Sequence, residues 1–369
     1  MTLAAILEII TRHIDPMPEE RVPLIEAFGR VVSRPLSARR DLPPFEVSSL
    51  DGYAVKGPGT RFLLKGSLEP LGPVPPRLKE GEAFFVPTGG RFPQGTRFVA
   101  RERVVEKGQL VTIKDGPGKQ KTVRKGDWIR QGQPLARRGE VIGPAAMGLL
   151  AQGGHETIRV FGRPQVAVVA TGDELKKGAI ADSNKFLLAG LIRRDGGEPS
   201  GLYTTADDEG EIAQAVAGAS TARLVILTGG TALGKRDVTK QAVRRLAFRF
   251  LLDSAPILPG KTMAFGRKGK TCLFILPGRP PAVQTLYEVF VRQALLAMAG
   301  RPPERTECLL PLPGRIEKPA DAIMLIPVSI AEKPAAIGAM YASEPNGFVV
   351  LDEGTERVVA GQRVRVLRV

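Results

Sequence analysis

The sequence predicts a multidomain chain of α/β plus β class: one parallel-sheet α/β unit with a small β-rich part before it and a β-barrel or sandwich after it. Three observations predict this. Apolar runs at 165–170, 224–227 and 271–276 each end in a glycine-bearing turn, and segments of helical spacing lie between them. From residue 52 to 132 the chain is a series of short β-like runs broken by Gly and Pro. After Pro302-Pro303 short β runs return, with turns at Pro313-Gly314, Asn346-Gly347 and Glu353-Gly354.

In chain order, residues 2–13 read as a helix because Leu3, Ile6, Leu7 and Ile10 share a face, and Pro16 and Pro18 stop it. A second short segment covers 22–32, and Asp41-Leu42-Pro43-Pro44 makes an extended connector. Asp51-Gly52 is a turn leading into a strand at Tyr53-Ala54-Val55. Further β-like runs are expected at 62–65, 83–86, 97–105 and 109–114, with a tight loop over 86–90. A short helix is expected at 144–151, then a strand, and Pro164 marks a boundary. Asp182-Ser183-Asn184 opens a helix over 185–195 as its N-cap. Residues 201–206 are a strand-like connector into Asp207-Asp208, and helices follow at 209–219, 238–251 and 282–298.

Composition narrows the class. The net charge is +15, the mean hydropathy is near zero, and no apolar run approaches the roughly 20 residues that span a bilayer. The first residues carry Glu8 within an amphipathic pattern and no basic leader, which reads as a helix rather than a signal peptide. Cys272 and Cys308 form neither a disulfide framework nor a zinc spacing, so a reducing cytoplasm is expected. His13 and His155 are too few for a histidine-based metal site or triad. Residues 97–130 hold ten Lys/Arg against four acids. That surplus serves either a phosphate-bearing ligand or a solvated face that keeps the chain soluble. Only Phe98 and Trp128 lie there to stack bases, which disfavours nucleic acid.

The chemistry converges on the three glycine turns. Strand, glycine turn, helix is the arrangement that aims backbone N–H groups at an anion. Right-handed crossovers place Thr171-Gly172-Asp173, Thr228-Gly229-Gly230 (with Gly234 beyond) and Pro277-Gly278-Arg279 on one sheet edge. The expected ligand is anionic and phosphorylated. Asp237 either caps its helix or holds a cation. In the β-rich part Asp51, Thr88 and Glu102 are the polar residues expected to face a site, each also explicable as turn former, cap or surface acid.

These pieces in this order resemble the molybdopterin molybdenumtransferase family, MoeA and the E-domain of gephyrin, nearly end to end. Ser49-Leu50-Asp51-Gly52-Tyr53-Ala54-Val55 is similar to its S-x-M-D-G-Y-A-V, Pro87-Thr88-Gly89 to P-T-G, and Thr171-Gly172-Asp173-Glu174-Leu175 to T-G-D-E-L. Asp182-Ser183-Asn184 is similar to D-S/T-N, and Thr228-Gly229-Gly230 with Gly234 and Asp237 to S/T-G-G-x-S-x-G-x-x-D. Pro259-Gly260-Lys261 and Leu276-Pro277-Gly278 resemble K-P-G-K and L-P-G-N-P. Glu102 falls where the family has a glutamate after an A-V-V strand.

The resemblance implies an elongated four-domain homodimer. Residues 1–46 with 131–165 would form a linker and dimerisation domain, 47–130 a small β domain, 166–301 a three-layer molybdopterin-binding domain, and 302–369 a β-barrel. It implies insertion of molybdate into adenylylated molybdopterin with release of AMP, helped by Mg²⁺. The cleft would lie between the sheet domain of one subunit and the small β domain of the other. Asp51, Glu102 and Asp237 would hold Mg²⁺ and with Lys261 would act in catalysis, and a molybdopterin adenylyltransferase would be a partner. Thr88, Thr171, Gly172, Asp173, Asp182, Asn184, Thr228, Gly229, Gly230, Gly234, Gly278 and Arg279 would bind the pterin nucleotide.

The chain departs from the family at Leu258 in place of a lysine, Ala282 in place of a serine, Gln133 and Pro134 in place of acids, and Tyr341 near a usual serine. The lost lysine and serine belong to the oxyanion side, where Arg279 supplies forked donors. The alternative to a transferase is a non-catalytic molybdopterin or nucleotide binder.

Overall fold

The computed structural model describes residues 1–114, 121–230, 237–302, 306–331, 336–340, 342 and 344–369. At its centre is a six-stranded sheet in the order Glu198–Thr205, Gln165–Thr171, Leu224–Thr228, Thr271–Leu276, Ala264–Lys268, Arg249–Leu252. The first four strands are parallel, and the last two add antiparallel at one edge. Alternation along each strand makes three layers, because successive side chains point to opposite faces. Val166, Val168, Leu224, Ile226, Cys272 and Phe274 bury one face against the Ser183–Arg194 helix and the helical run 280–298. Ala167, Val169, Val225, Leu227, Leu273 and Ile275 bury the other against helices Glu209–Gly218 and Val238–Arg245. Burial on both faces is why these strands read as unbroken apolar runs.

The helix Leu3–Arg12, capped by Thr2, is first in the chain yet packs Leu3, Ile6, Leu7 and Ile10 into this central core. A separate apolar cluster joins 22–42 to 129–160 through Val22, Val32, Ile129, Leu150 and Val160. There Glu19–Pro23 pairs antiparallel with Thr157–Phe161. Between those two stretches lies a six-stranded sheet containing Gly52–Val55, Arg61–Ser67, Glu82–Val86, Arg97–Ala100, Val104–Lys107 and Leu110–Ile113. At the C-terminal end Ile323–Ala331, Gly347–Leu351, Arg363–Arg368 and Thr306–Pro311 form a barrel-like sheet around Leu310, Ile326, Val349 and Val366. Its other face, through Leu325, Phe348 and Val350, merges with the central core.

Four expectations change. The helix expected over 238–251 ends at Arg245. Ala247 takes a left-handed φ of 62°, and Arg249–Leu252 leaves as an edge strand against Ala264–Lys268. The run expected over 97–105 is two strands, split by a turn of 3₁₀ helix at Arg101–Arg103. The last long helix starts at Pro280, as proline favours the first helical position, and widens into a π-turn at Tyr287–Val291. The connector at 201–206 is part of a full strand, Glu198–Thr205.

Asp182 ties the sheet to its helix. One carboxylate oxygen accepts the Lys185 N–H at 3.2 Å and the other accepts the Thr204 hydroxyl at 2.9 Å. Asp182→Ala removes both, and the cap alone is worth about 1 kcal/mol, up to about 2. The urea midpoint is expected to fall by that free energy divided by an unchanged m-value.

Candidate functional site

Register brings the strand ends level. Thr171 is opposite Thr205, Ala170 is opposite Thr228, and Thr228 is opposite Leu276. The loops that follow therefore leave from one edge and surround a hollow of about 850 Å³. Of the expected residues, Thr171, Asp182, Asn184, Thr228, Gly229, Gly230, Gly278 and Arg279 line it.

Two glycines are there for steric reasons. Gly229 has φ 89° and Gly230 φ 63°, a region that strains any side chain. A Cβ on Gly229 would stand 2.2 Å from the Thr171 carbonyl oxygen. One on Gly230 would stand 2.3 Å from Thr239 Oγ1 and 2.8 Å from Thr171 Oγ1. The backbone thus approaches the neighbouring strand end as closely as it can. Gly278 is different: a Cβ there would meet only the Gly229 backbone, its Cα at 3.5 Å and its N at 3.9 Å.

Polar atoms are left over at this rim. Asn184 donates its amide to the Gly278 carbonyl at 2.7 Å, which locks two loops together, and its Oδ1 is buried without a partner among the described residues. Thr228 Oγ1, also on the lining, is likewise buried and unpartnered among the described residues. A buried polar group without a partner costs roughly 1–3 kcal/mol. Two on residues lining one hollow are what a hydrogen-bonding guest would satisfy.

The remaining expected residues fall elsewhere. Gly172 and Asp173 start a single helical turn beside the hollow, and Asp173 accepts the Asp207 N–H at 3.2 Å. Asp237 caps the Val238–Arg245 helix by accepting the Lys240 N–H at 3.0 Å. Lys261, next to the lining residue Thr262, pairs with Asp321 at 3.5 Å. Gly234, Tyr341 and Lys119 of the basic stretch lie outside the described residues. Asp51, Thr88 and Glu102 belong to the small β sheet and do not line the hollow of the same chain. Asp51 accepts both the N–H and the hydroxyl of Thr88, at 2.8 and 2.9 Å. Those bonds, with the Arg101 charge, lower its pKa and keep it ionised. Among the described residues no three acids, histidines or cysteines gather as a metal site. His13 and His155 bond backbone carbonyls, of Ile9 and Ser37.

Of the substituted positions, Leu258 is half-buried and pairs with Met324, Ala282 is buried in its helix, and Pro134 opens a short strand. None of the three lines the hollow. Arg279 caps the following helix and does line it, with its side chain exposed.

Glu174 and Asp207 also line the hollow and were not among the expected site residues. Partial burial, then the charges of Asp173 and Glu174, raise the Asp207 pKa above the usual carboxylate value. A raised acid pKa means the fold holds that proton more tightly. Stability is therefore lost as pH rises through the ordinary carboxylate range and the deficit persists above it. Asp207→Asn is expected to be more stable than the parent at pH 7, by less than about 1 kcal/mol because the side chain is solvent-screened. Urea titrations should find the two chains equal below about pH 3.

Residues 1–154 match the family model described as MoeA N-terminal region (domain I and II), and residues 167–297 match the one described as probable molybdopterin binding domain. A putative molybdopterin biosynthesis protein of Methanocaldococcus jannaschii is 26% identical over 98% of this chain and 95% of its own length. A molybdopterin molybdenumtransferase of Synechococcus elongatus is 28% identical over 86% of this chain and 85% of its own. The crystal structure of a molybdopterin biosynthesis MoeA protein from Pyrococcus horikosii aligns with a TM-score of 0.84 at 25% identity, covering 100% of this chain and 98% of that one.

Proposed function

The chain belongs to the MoeA family of molybdenum cofactor biosynthesis proteins, and on that premise we propose that it takes adenylylated molybdopterin and molybdate as substrates, inserts the metal into the pterin dithiolene and releases AMP. The single observation that carries this reading is the level rim of Thr171, Thr228-Gly229-Gly230 and Gly278 around a hollow large enough for a pterin nucleotide, with unsatisfied Asn184 Oδ1 and Thr228 Oγ1. Ligand pockets are of order 300–1,000 Å³.

The residues divide the work by their chemistry. Gly229 and Gly230 let the backbone reach the ligand without a side chain between. Asn184 Oδ1 and Thr228 Oγ1 fix the orientation of the guest by hydrogen bonding. Glu174 and Asp207 give one side of the hollow an acidic wall suited to the N–H edge of a pterin. Arg279 faces the hollow with a guanidinium that suits a phosphate or the molybdate oxyanion.

Among the described residues no ligand set for Mg²⁺ is assembled in one chain: Asp51, Glu102 and Asp237 sit on separate elements, and Asp237 is committed to its helix cap. No step here depends on the ion. Asp51, Thr88 and Glu102 act in our reading on the rim of a second chain, in a homodimer. A cytoplasmic location and a pterin-adenylylating partner complete the proposal; no helix among the described residues is long and apolar enough to cross a membrane.

The test is AMP release from adenylylated molybdopterin on adding molybdate. The proposal expects molybdate-dependent release by the purified chain and at least a tenfold loss in Asn184→Ala. Binding of the pterin nucleotide without any release would favour a non-catalytic binder instead.

A further inference from the structure

A second hollow, of about 480 Å³, lies at the other end of the central sheet, lined in part by Phe28, Arg163, Arg193, Arg194 and Arg301. Arg163 stands two residues before the strand Gln165–Thr171, whose far end forms the pterin rim. At about 3.3 Å per residue the two sites are roughly 20 Å apart. The helix Ser183–Arg194 spans the same interval, from Asn184 at the rim to Arg193 at this hollow.

Four guanidinium groups converge here from three separate segments of chain. Two of them are engaged: Arg194 bonds Glu288 at 2.6 Å and Asp195 at 2.8 Å, and Arg301 also has a partner. Asp195 is also shared with Arg292 at 3.2 Å, which uses up the nearby buried acids. Among the described residues Glu198 is the one carboxylate on the wall. The side chains of Arg163 and Arg193 make no ion pair or hydrogen bond among the described residues. A basic residue in the last turn of a helix is favoured by the helix dipole, which accounts for Arg193 and Arg194. It does not account for Arg163, which comes from another segment and brings more positive charge to the same concavity. Phe28, 61% exposed, and Val141, 40% exposed, add an apolar flank beside the charges.

We propose that this hollow is a binding site for a small phosphorylated ligand with a flat or apolar body, such as a nucleoside diphosphate. The phosphates lie between the Arg163 and Arg193 forks, which match phosphate oxygens in pairs, and the body rests on Phe28. The site is separate from the proposed reaction, so its failure leaves the reading of the pterin rim intact.

The test is calorimetric titration of the full chain with ADP and with inorganic pyrophosphate at low salt, where surface charge acts most strongly. Three chains are compared: the parent, Arg163→Glu with Arg193→Glu, and Asn184→Ala. The proposal expects a class of ADP sites that pyrophosphate displaces, weakened at least tenfold by the double charge reversal and unchanged by Asn184→Ala. Both arginines are exposed, and an unchanged melting temperature checks that the charge-reversed chain is folded. Arg163→Lys with Arg193→Lys, which keeps the charge and loses the forks, should retain part of the affinity. Equal ADP binding by the parent and the charge-reversed chain overturns the proposal. So does loss of all ADP binding in Asn184→Ala, or an acidic hexapeptide binding the parent where ADP and pyrophosphate do not.

Discussion

Gly230→Val is expected to lower AMP release at least a hundredfold, about 3 kcal/mol of transition-state stabilisation. The reason is local. Gly230 holds φ 63°, where a β-branched residue is strained by roughly 1–2 kcal/mol before any contact is made. Its Cβ would then stand 2.3 Å from Thr239 Oγ1 and 2.8 Å from Thr171 Oγ1, so the loop must retreat from the rim. Retreat also moves Gly229, which is packed onto the Thr171 carbonyl. Gly278→Ala is the control: its Cβ has open space apart from Gly229 Cα at 3.5 Å, so that variant should lose far less. Steady-state AMP release and urea midpoints for both variants separate a loss at the site from a loss of fold.

A second large effect concerns where the site ends. Asp51 and Thr88 form a hydrogen-bonded pair on the small β sheet, away from the hollow of their own chain. If they serve the rim of a second chain, Asp51→Ala and Asn184→Ala should each be at least tenfold impaired alone. Mixed dimers of the two would carry one site with both lesions and one with neither. Activity on mixing and reassociation is expected to recover to about a quarter of the parent, since half of the dimers are mixed and each has one intact site of two. No recovery, with dimers shown to exchange, would place Asp51 and Asn184 in one chain's site or remove Asp51 from function.

The rim was legible because its sequence signals are local. An apolar run followed by Thr-Gly-Gly or Pro-Gly states both a buried strand and a sharp turn, and parallel connectivity then forces the turns to one edge. Asp182 was legible as a cap for the same reason. Asp207 was not. The strand before it, Glu198–Thr205, is an edge strand with alternating exposure and two weak strand formers, Pro199 and Gly201, so it read as a connector. Arg249–Leu252 was lost inside a helical pattern, because Ala242, Val243 and Leu246 keep helical spacing up to the turn. The signal that breaks it is a left-handed Ala247, and alanine gives no hint of that conformation. The second hollow was invisible in sequence, since Phe28, Arg163, Arg193 and Arg301 are brought together only by the tertiary fold.

The most direct measurement is a crystal structure of the chain with adenylylated molybdopterin. The account predicts the nucleotide in the hollow at the ends of the parallel strands, with ligand atoms within hydrogen-bonding distance of Asn184 Oδ1, Thr228 Oγ1 and the Gly229–Gly230 backbone. A ligand bound elsewhere, with those atoms still unpaired, would contradict it.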